Sequence, residues 1–299
     1  MFVKRIKDSI RYRAGLTAAA MLPEFVVIAA TSMWRHKLRL GTLPNFVRPQ
    51  TFNEKVLHRI VFDRRPVLTR IQDKYAVRDY VAGKLGASIL PRLYWVTTNP
   101  FDIPFDDLPD RFVVKPTHGS GWYRIVSDKA DVDRRELIET CQSWLSQNYY
   151  HAEREWVYKH IDPRILVEEY VDDGAGVHPI RYKFYVFHGS ARVVEVCVGV
   201  PEQASIGFYG RSWDRLPVRF SDWKEIDAAL PRPTRLDEMI ECAETLAGGL
   251  DFVRVDLYGT DTSVVFGEMT TCPGGGVYSF DPPAFNRSLG AFWDLSAKD

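Results

Sequence analysis

Asp251 to Gly276 reads DFVRVDLYGTDTSVVFGEMTTCPGGG: two apolar, β-rich runs, Phe252–Tyr258 and Ser263–Met269, joined by Gly259-Thr260-Asp261. Gly and Asp between alternating segments predict a hairpin. Each arm carries one acid, Asp256 and Glu268, with apolar neighbours, so both carboxylates share one half-buried face of a sheet. Two like charges there need a cation, and a hard ion such as Mg2+, held by one or two carboxylates plus substrate phosphates, is the usual solution. Arg254 precedes Asp256 by two residues, hence lies on the same face, where it could meet an anion shared with the metal. The alternative is a solvated hairpin with ordinary surface charges.

Working outward, Leu236–Ala247 is a helix that delivers the chain to this hairpin. Tyr182–Phe187 alternates and turns at His188-Gly189 into Ala191–Val200, a second hairpin. Pro201–Arg219, rich in Gly, Pro and aromatics, reads as a long loop. Ile165–Val171 is a strand closed by Asp172-Asp173-Gly174, and Arg134–Gln147 an amphipathic helix whose start is Asp131-Val132-Asp133. Arg111–Pro116 is a buried strand ending in Lys115, followed at once by Thr117-His118-Gly119-Ser120-Gly121-Trp122. Small residues let backbone N–H groups approach a phosphate, and the lysine supplies charge. Taken alone, HGSG is also what a plain hairpin turn looks like, with His118 a loop hydrogen-bonder. Further upstream, Thr51 and Glu54 form a capping box that opens a helix to Phe62. A second helix is expected from Pro66 to Leu85, stopped by Gly86, then an edge strand Ile89–Val96 containing Pro91.

The 299 residues suffice for one large domain or two to three lobes, and 39 basic against 39 acidic residues give no global reason to expect nucleic acid. Cys141, Cys197, Cys242 and Cys272 are widely spaced, which suggests neither a disulfide framework nor a zinc site and fits a reducing cytoplasm. Lys4, Arg5, Lys7, Arg11 and Arg13 surround Val3, Ile6 and Ile10 at helical spacing, suited to an anionic membrane surface. Ala14–Trp34 is long enough to span a bilayer, but Pro23 and Glu24 interrupt it, and a central charge costs about 2.5 to 3.5 kcal/mol. At most a peripheral contact with the inner membrane surface is expected.

The order of the segments adds what no single one carries. Asp73-Lys74, VVKP with its Gly-rich loop, LVEEYV, YKFYVF, RVDLY and GEMT followed by PGGG together resemble the ATP-grasp superfamily. TFNEK, DKYAVRDYV, LPDRFVVKPTHGSG, EW-x-YKHI and ILVEEYV are similar to its teichuronopeptide-biosynthesis (TupA-like) branch, from about Pro49 to Leu295.

That resemblance implies an α+β, ATP-grasp fold of two lobes clamping ATP: residues 70–165 with the phosphate loop, residues 166–299 with the adenine hinge and metal hairpin, and a helical region 1–69 for acceptor or membrane contact. It implies that Lys74 and Lys115 reach the nucleotide phosphates and that Gly119, Ser120 and Gly121 form the loop over the γ-phosphate. Glu168, Glu169, Tyr170 and Val171 would read adenine, with Asp172 or Asp173 on the ribose. Lys183 would stand on the phosphates and Arg254 would steady the reacting group, the two catalytic candidates. Asp256 and Glu268 would bind one or two Mg2+, with Thr270 where relatives carry Asn. The expected reaction activates a carboxylate as an acyl phosphate for attack by an amine. The acceptor would be a uronic-acid or similar carboxylate of a cell-surface polymer, or a small molecule. The alternatives are a glycosyltransferase, an ATP-grasp kinase or a non-catalytic nucleotide binder.

Overall fold

Helix α1 (Glu24–Leu40) ends at Gly41, whose φ of 74° lets its N–H turn back to Lys37 O. The computed structural model describes residues 23–172, 179–200, 203–260 and 262–296, so the basic segment Met1–Arg13 and Asp173 lie outside the described residues. Helix α2 (Phe52–Phe62) opens with the expected capping box: Glu54 N–H donates to Thr51 Oγ1 at 3.2 Å, and Thr51 N–H to Glu54 Oε2 at 3.0 Å. The single helix expected over residues 66–85 is two, α3 (Pro66–Gln72) and α4 (Ala76–Leu85). Asp73 breaks it. Its Oδ1 accepts from the N–H groups of Tyr75 (2.8 Å) and Ala76 (3.2 Å), a local bond that competes with helix continuation and starts α4 afresh. Lys74 sits in that break, between the two helices.

Strands β1 (Leu93–Thr97), β2 (Phe112–Pro116), β3 (Arg124–Val126) and β4 (Ile165–Glu169) form an antiparallel sheet in the order β1-β4-β2-β3. The edge strand starts later than expected because Ala87–Ile89 forms a 3-10 turn, but β1 is at the edge as Pro91 implies. Helices α5 (Arg134–Leu145) and α6 (Tyr149–Glu153) follow β3. Phe112, Val114, Ile165 and Val167 make a small core with Leu137, Cys141 and Trp144 of α5.

The larger sheet comprises β5 (Arg181–Phe187), β6 (Ser190–Val198), β7 (Ser205–Gly210), β9 (Lys224–Glu225), β10 (Phe252–Gly259) and β11 (Val264–Thr270), ordered β11-β10-β5-β6-β7-β9. A two-residue strand β8 (Arg219–Phe220) pairs with β12 (Phe280–Asp281), and α7 (Leu236–Ala247) and α8 (Ala284–Ala291) complete the elements. Strand β7 corrects the expected loop over residues 201–219. Its glycines mark tight packing: a Cβ on Gly207 would lie 3.2 Å from Ile226 Cδ1. One face of this sheet is covered by the apolar side of α7, through Met239, Ala243 and Leu246. Phe52, Val56 and Ile60 of α2 and Ile71 of α3 belong to the same core, so the N-terminal helices are packed on the large sheet. Arg59 is buried within it, donating to Phe252 O (2.8 Å), Thr271 O (3.1 Å) and Asp251 Oδ1 (2.6 Å). No helix among the described residues is long and apolar enough to cross a membrane.

Candidate active site

The central hairpin forms as its pattern requires, with Asp256 directly opposite Glu268. The ladder slips by one residue immediately afterwards, and the extra residue is Gly267, where a Cβ would stand 2.9 Å from Asp256 O. Arg254 is the hub of the shared face. Its Nε and Nη2 donate to the two oxygens of Asp256 at 2.7 and 2.8 Å, and Nη2 also reaches Glu268 Oε1 and Thr270 Oγ1, each at 3.1 Å. Its Nη1 lies 3.2 Å from Tyr278 Oη. Burial pushes the Asp256 carboxyl up to about 6, with Arg254 opposing and Glu268 adding. Glu268 is buried less and is held below its usual range, because Arg254, Lys74, Lys183 and Lys115 outweigh its desolvation.

The row continues across the sheet. Asp256 faces Lys183 on β5, and Lys183 faces Glu195 on β6. Lys183 Nζ lies 2.7 Å from Glu195 Oε1, and Tyr185 Oη donates to Oε2 at 2.7 Å. Glu195 and Tyr185 were not among the sequence candidates. The signal was present: an acid in the otherwise apolar run Val193-Val194-Glu195-Val196 must face a partner if that strand is buried.

From the smaller sheet come Lys115 on β2 and Glu168 on β4, which share a face and form an ion pair. Arg78 of α4 lies 3.7 Å from the same carboxylate. Glu168 therefore points into the cleft, while Glu169 N–H donates at 2.8 Å to Arg92 O, just before β1. Tyr170 lies under Arg111, whose guanidinium is 4.4 Å from the ring, and Arg111 also pairs with Asp172. Lys74 Nζ donates to Gly119 O, tying the helix break to the phosphate-loop candidate Gly119–Gly121, where Gly121 has φ 70°. Burial pulls the Lys74 ammonium down to about 8; Glu268 opposes this and Lys115 adds to it. His118 is buried, with Nε2 within 3.1 Å of Trp144 O and Gln147 O, a loop hydrogen-bonder as expected.

Lys74, Arg78, Lys115, Glu168, Phe266 and Glu268 line one narrow cleft between the sheets, with a volume of about 10 Å3. That is room for about one water. Lys74, Arg78, Lys115, Lys183 and Arg254 stand against Glu168, Glu195, Asp256 and Glu268, five cations and four carboxylates. A triphosphate added to this balance brings uncompensated negative charge. Asp256, Glu268 and the Thr270 hydroxyl offer hard oxygens only, a set that fits Mg2+ if phosphates complete the shell. Among the described residues no cluster of three or more His, Cys, Asp or Glu could hold a metal unaided.

No curated protein matches the chain in sequence. Among solved structures, D-alanine–D-alanine ligase from Bacillus anthracis complexed with ATP is similar at 18% identity over 69% of this chain and 56% of its own, TM-score 0.41. L-amino acid ligase from Bacillus licheniformis matches at 17% identity over 80% and 48%, TM-score 0.41. ATP-grasp ligase PsnB complexed with minimal precursor matches at 13% over 70% and 54%, TM-score 0.40. The chain thus spans about half the length of these structures. A family model described as TupA-like ATPgrasp matches residues 54–293, which takes in most of α2, both sheets and every described candidate residue, and the chain belongs to that family.

Proposed function

We propose that this protein is an ATP-dependent carboxylate–amine ligase. The observation that carries the proposal is the convergence of Lys74, Lys115 and Glu268 on one cleft, with Asp256, Arg254 and Lys183 aligned beside it. A carboxylate oxygen attacks the γ-phosphorus of ATP, ADP leaves, and the acyl phosphate so formed is attacked by an amine that displaces phosphate. Lys74 and Lys115 position the triphosphate under the Gly119–Gly121 loop, and Glu169 to Val171, with Asp173 beyond, take the nucleoside. Arg254 stabilises the negative oxygen that develops on the acyl carbon. Mg2+ on Asp256 and Glu268, with Thr270 beside them, would neutralise phosphate charge. The sheet β1-β4-β2-β3 and the large sheet are the two clamping lobes, so the boundary expected at residue 165 moves past β4, whose residues 166–169 belong to the smaller sheet.

The carboxylate is that of a uronic acid or similar unit of a cell-surface polysaccharide, and the amine an amino acid or amino sugar. We place the reaction in the cytoplasm, with residues 1–69 touching the inner membrane surface. The family membership and the exposure of Phe25, Trp34 and Leu38 on α1 support this reading. The decisive experiment measures ADP and phosphate release from Mg2+-ATP against a panel of uronic acids and amino acids. Release that requires both a carboxylate and an amine supports the ligase; release with either one alone, or a phosphorylated acceptor, overturns it.

A further inference from the structure

Arg78 stands in the first turn of α4 and lines the same cleft as Lys74, Lys115, Glu168 and Glu268. The fresh helix start after Asp73 brings it there, and none of the roles assigned above uses it. Its guanidinium is divided between two partners. Nη2 donates to Pro91 O at 2.7 Å, which anchors the head, and Nη1 lies 3.7 Å from Glu168 Oε2, within ion-pair range but too far for a hydrogen bond. The other oxygen of that carboxylate, Oε1, is in contact with the Lys115 ammonium. A carboxylate whose side chain is only 9% exposed thus has a cation on each oxygen, one close and one held back. Matching a single charge takes only one of them.

The two cations differ in what else they can do. Lys115 is a compact charge on a flexible stem, and Glu168 is its one ion-pair partner among the described residues. Its charge also reaches the metal hairpin, where it helps to hold the Glu268 carboxyl down. Arg78 is tied to Pro91 and stays with the wall, while its Nε and Nη1 make no hydrogen bond among the described residues.

We infer that Arg78 is a positioning residue that takes over Glu168 when the phosphates of the nucleotide draw Lys115 away. The inference rests on the nucleotide-binding reading above. If Lys115 left a buried carboxylate bare, ATP binding would be weakened by the cost of that unmatched charge. Arg78 removes the cost by closing the 3.7 Å gap, with N–H groups on Nη1 and Nε for the two carboxylate oxygens. Lys115 then turns all three of its donors to phosphate oxygens. Glu168 stays ionised and matched in both states, and only its partner changes.

The test measures the Kd of Mg2+-ATP for the full chain in a double-mutant cycle of Arg78→Gln and Glu168→Gln. Arg78→Gln should raise the Kd at least about tenfold, because Glu168 is bare once Lys115 departs. Glu168→Gln alone should bind more tightly than wild type, because Lys115 then leaves no charge behind. With Glu168→Gln in place, adding Arg78→Gln should change the Kd by less than about twofold. An equal loss from Arg78→Gln in both backgrounds overturns the exchange and makes Arg78 a direct contact of the nucleotide, and no loss in either background overturns it as well. Should Arg78→Gln fail to fold, Glu168→Gln decides alone, and unchanged or weaker binding there overturns the exchange. A wild type that binds no Mg2+-ATP overturns the nucleotide reading itself, an outcome distinct from a wild type that binds ATP and an Arg78→Gln variant that binds it equally well.

Discussion

Lys183 and Glu195 face each other across the β5–β6 ladder, 2.7 Å apart, one strand beyond the Asp256–Glu268 pair. Glu195 is held down at about 2: its desolvation is outweighed by Lys183, by Arg254 and by the hydrogen bonds of Lys183 and Tyr185. The stability it contributes is present above its usual value of 4.5 and is lost as pH falls toward 2. Glu195→Gln leaves a buried ammonium without its partner, so the expected cost at neutral pH is about 3–5 kcal/mol. Denaturant unfolding should also show a flatter acid limb in the variant, and an unchanged limb would contradict the pairing.

Asp256→Asn and Glu268→Gln separate charge from packing. Removing one of two like charges looks stabilising from sequence alone, but Arg254 grips Asp256 with two hydrogen bonds in a buried setting. Burial nevertheless lifts the Asp256 carboxyl to about 6, a cost on its charge that offsets the hydrogen bonds weakened in Asp256→Asn, so this variant and the more exposed Glu268→Gln should both leave the ligand-free stability within about 1 kcal/mol of wild type. Both should lose ATP turnover by several orders of magnitude. Thr270→Asn should hold Mg2+ as well or better, read from the Mg2+ concentration for half-maximal ADP release.

Thermal shifts with Mg2+-nucleotides examine the bend after β4. ATP should stabilise the protein and GTP should not if the backbone around this bend reads the adenine edge, as the proposed function has it. Equal shifts would remove that assignment. Lys115→Ala should abolish the ATP shift, although it also leaves Glu168 with Arg78 as its one remaining ion-pair partner.

Glu155 makes stability depend on pH in the opposite sense to Glu195. Its folded value, about 8, lies above the usual 4.5, so the folded state binds the extra proton. Stability is therefore greatest below pH 4.5 and is lost as pH rises through about 8. The melting-temperature advantage of Glu155→Gln over wild type should grow across that interval in ligand-free protein. A constant difference would mean that Glu155 ionises as an ordinary surface acid.

The hairpin was legible because its period of two and its single acid on each arm are local properties of the chain. Lys74 was identifiable as a residue but not as a position: its place in the cleft depends on Asp73 interrupting a helix that apolar spacing alone would continue. Glu195 needed the β5–β6 register, which carries an irregularity between Tyr185 and Val186. Glu155 lay in a stretch without period, where no pattern says which way a side chain faces.

Arg59 sets an order of events during synthesis. Its partners Asp251, Phe252 and Thr271 lie 192, 193 and 212 residues further along the chain. At ribosomal speeds they emerge roughly ten to forty seconds later. Through that interval α2 has no Trp293 or Phe252 to sandwich its guanidinium and no hairpin to receive Phe52. Helix α2 is thus made well before the segments that secure it, and its apolar face stays unsheltered until they follow.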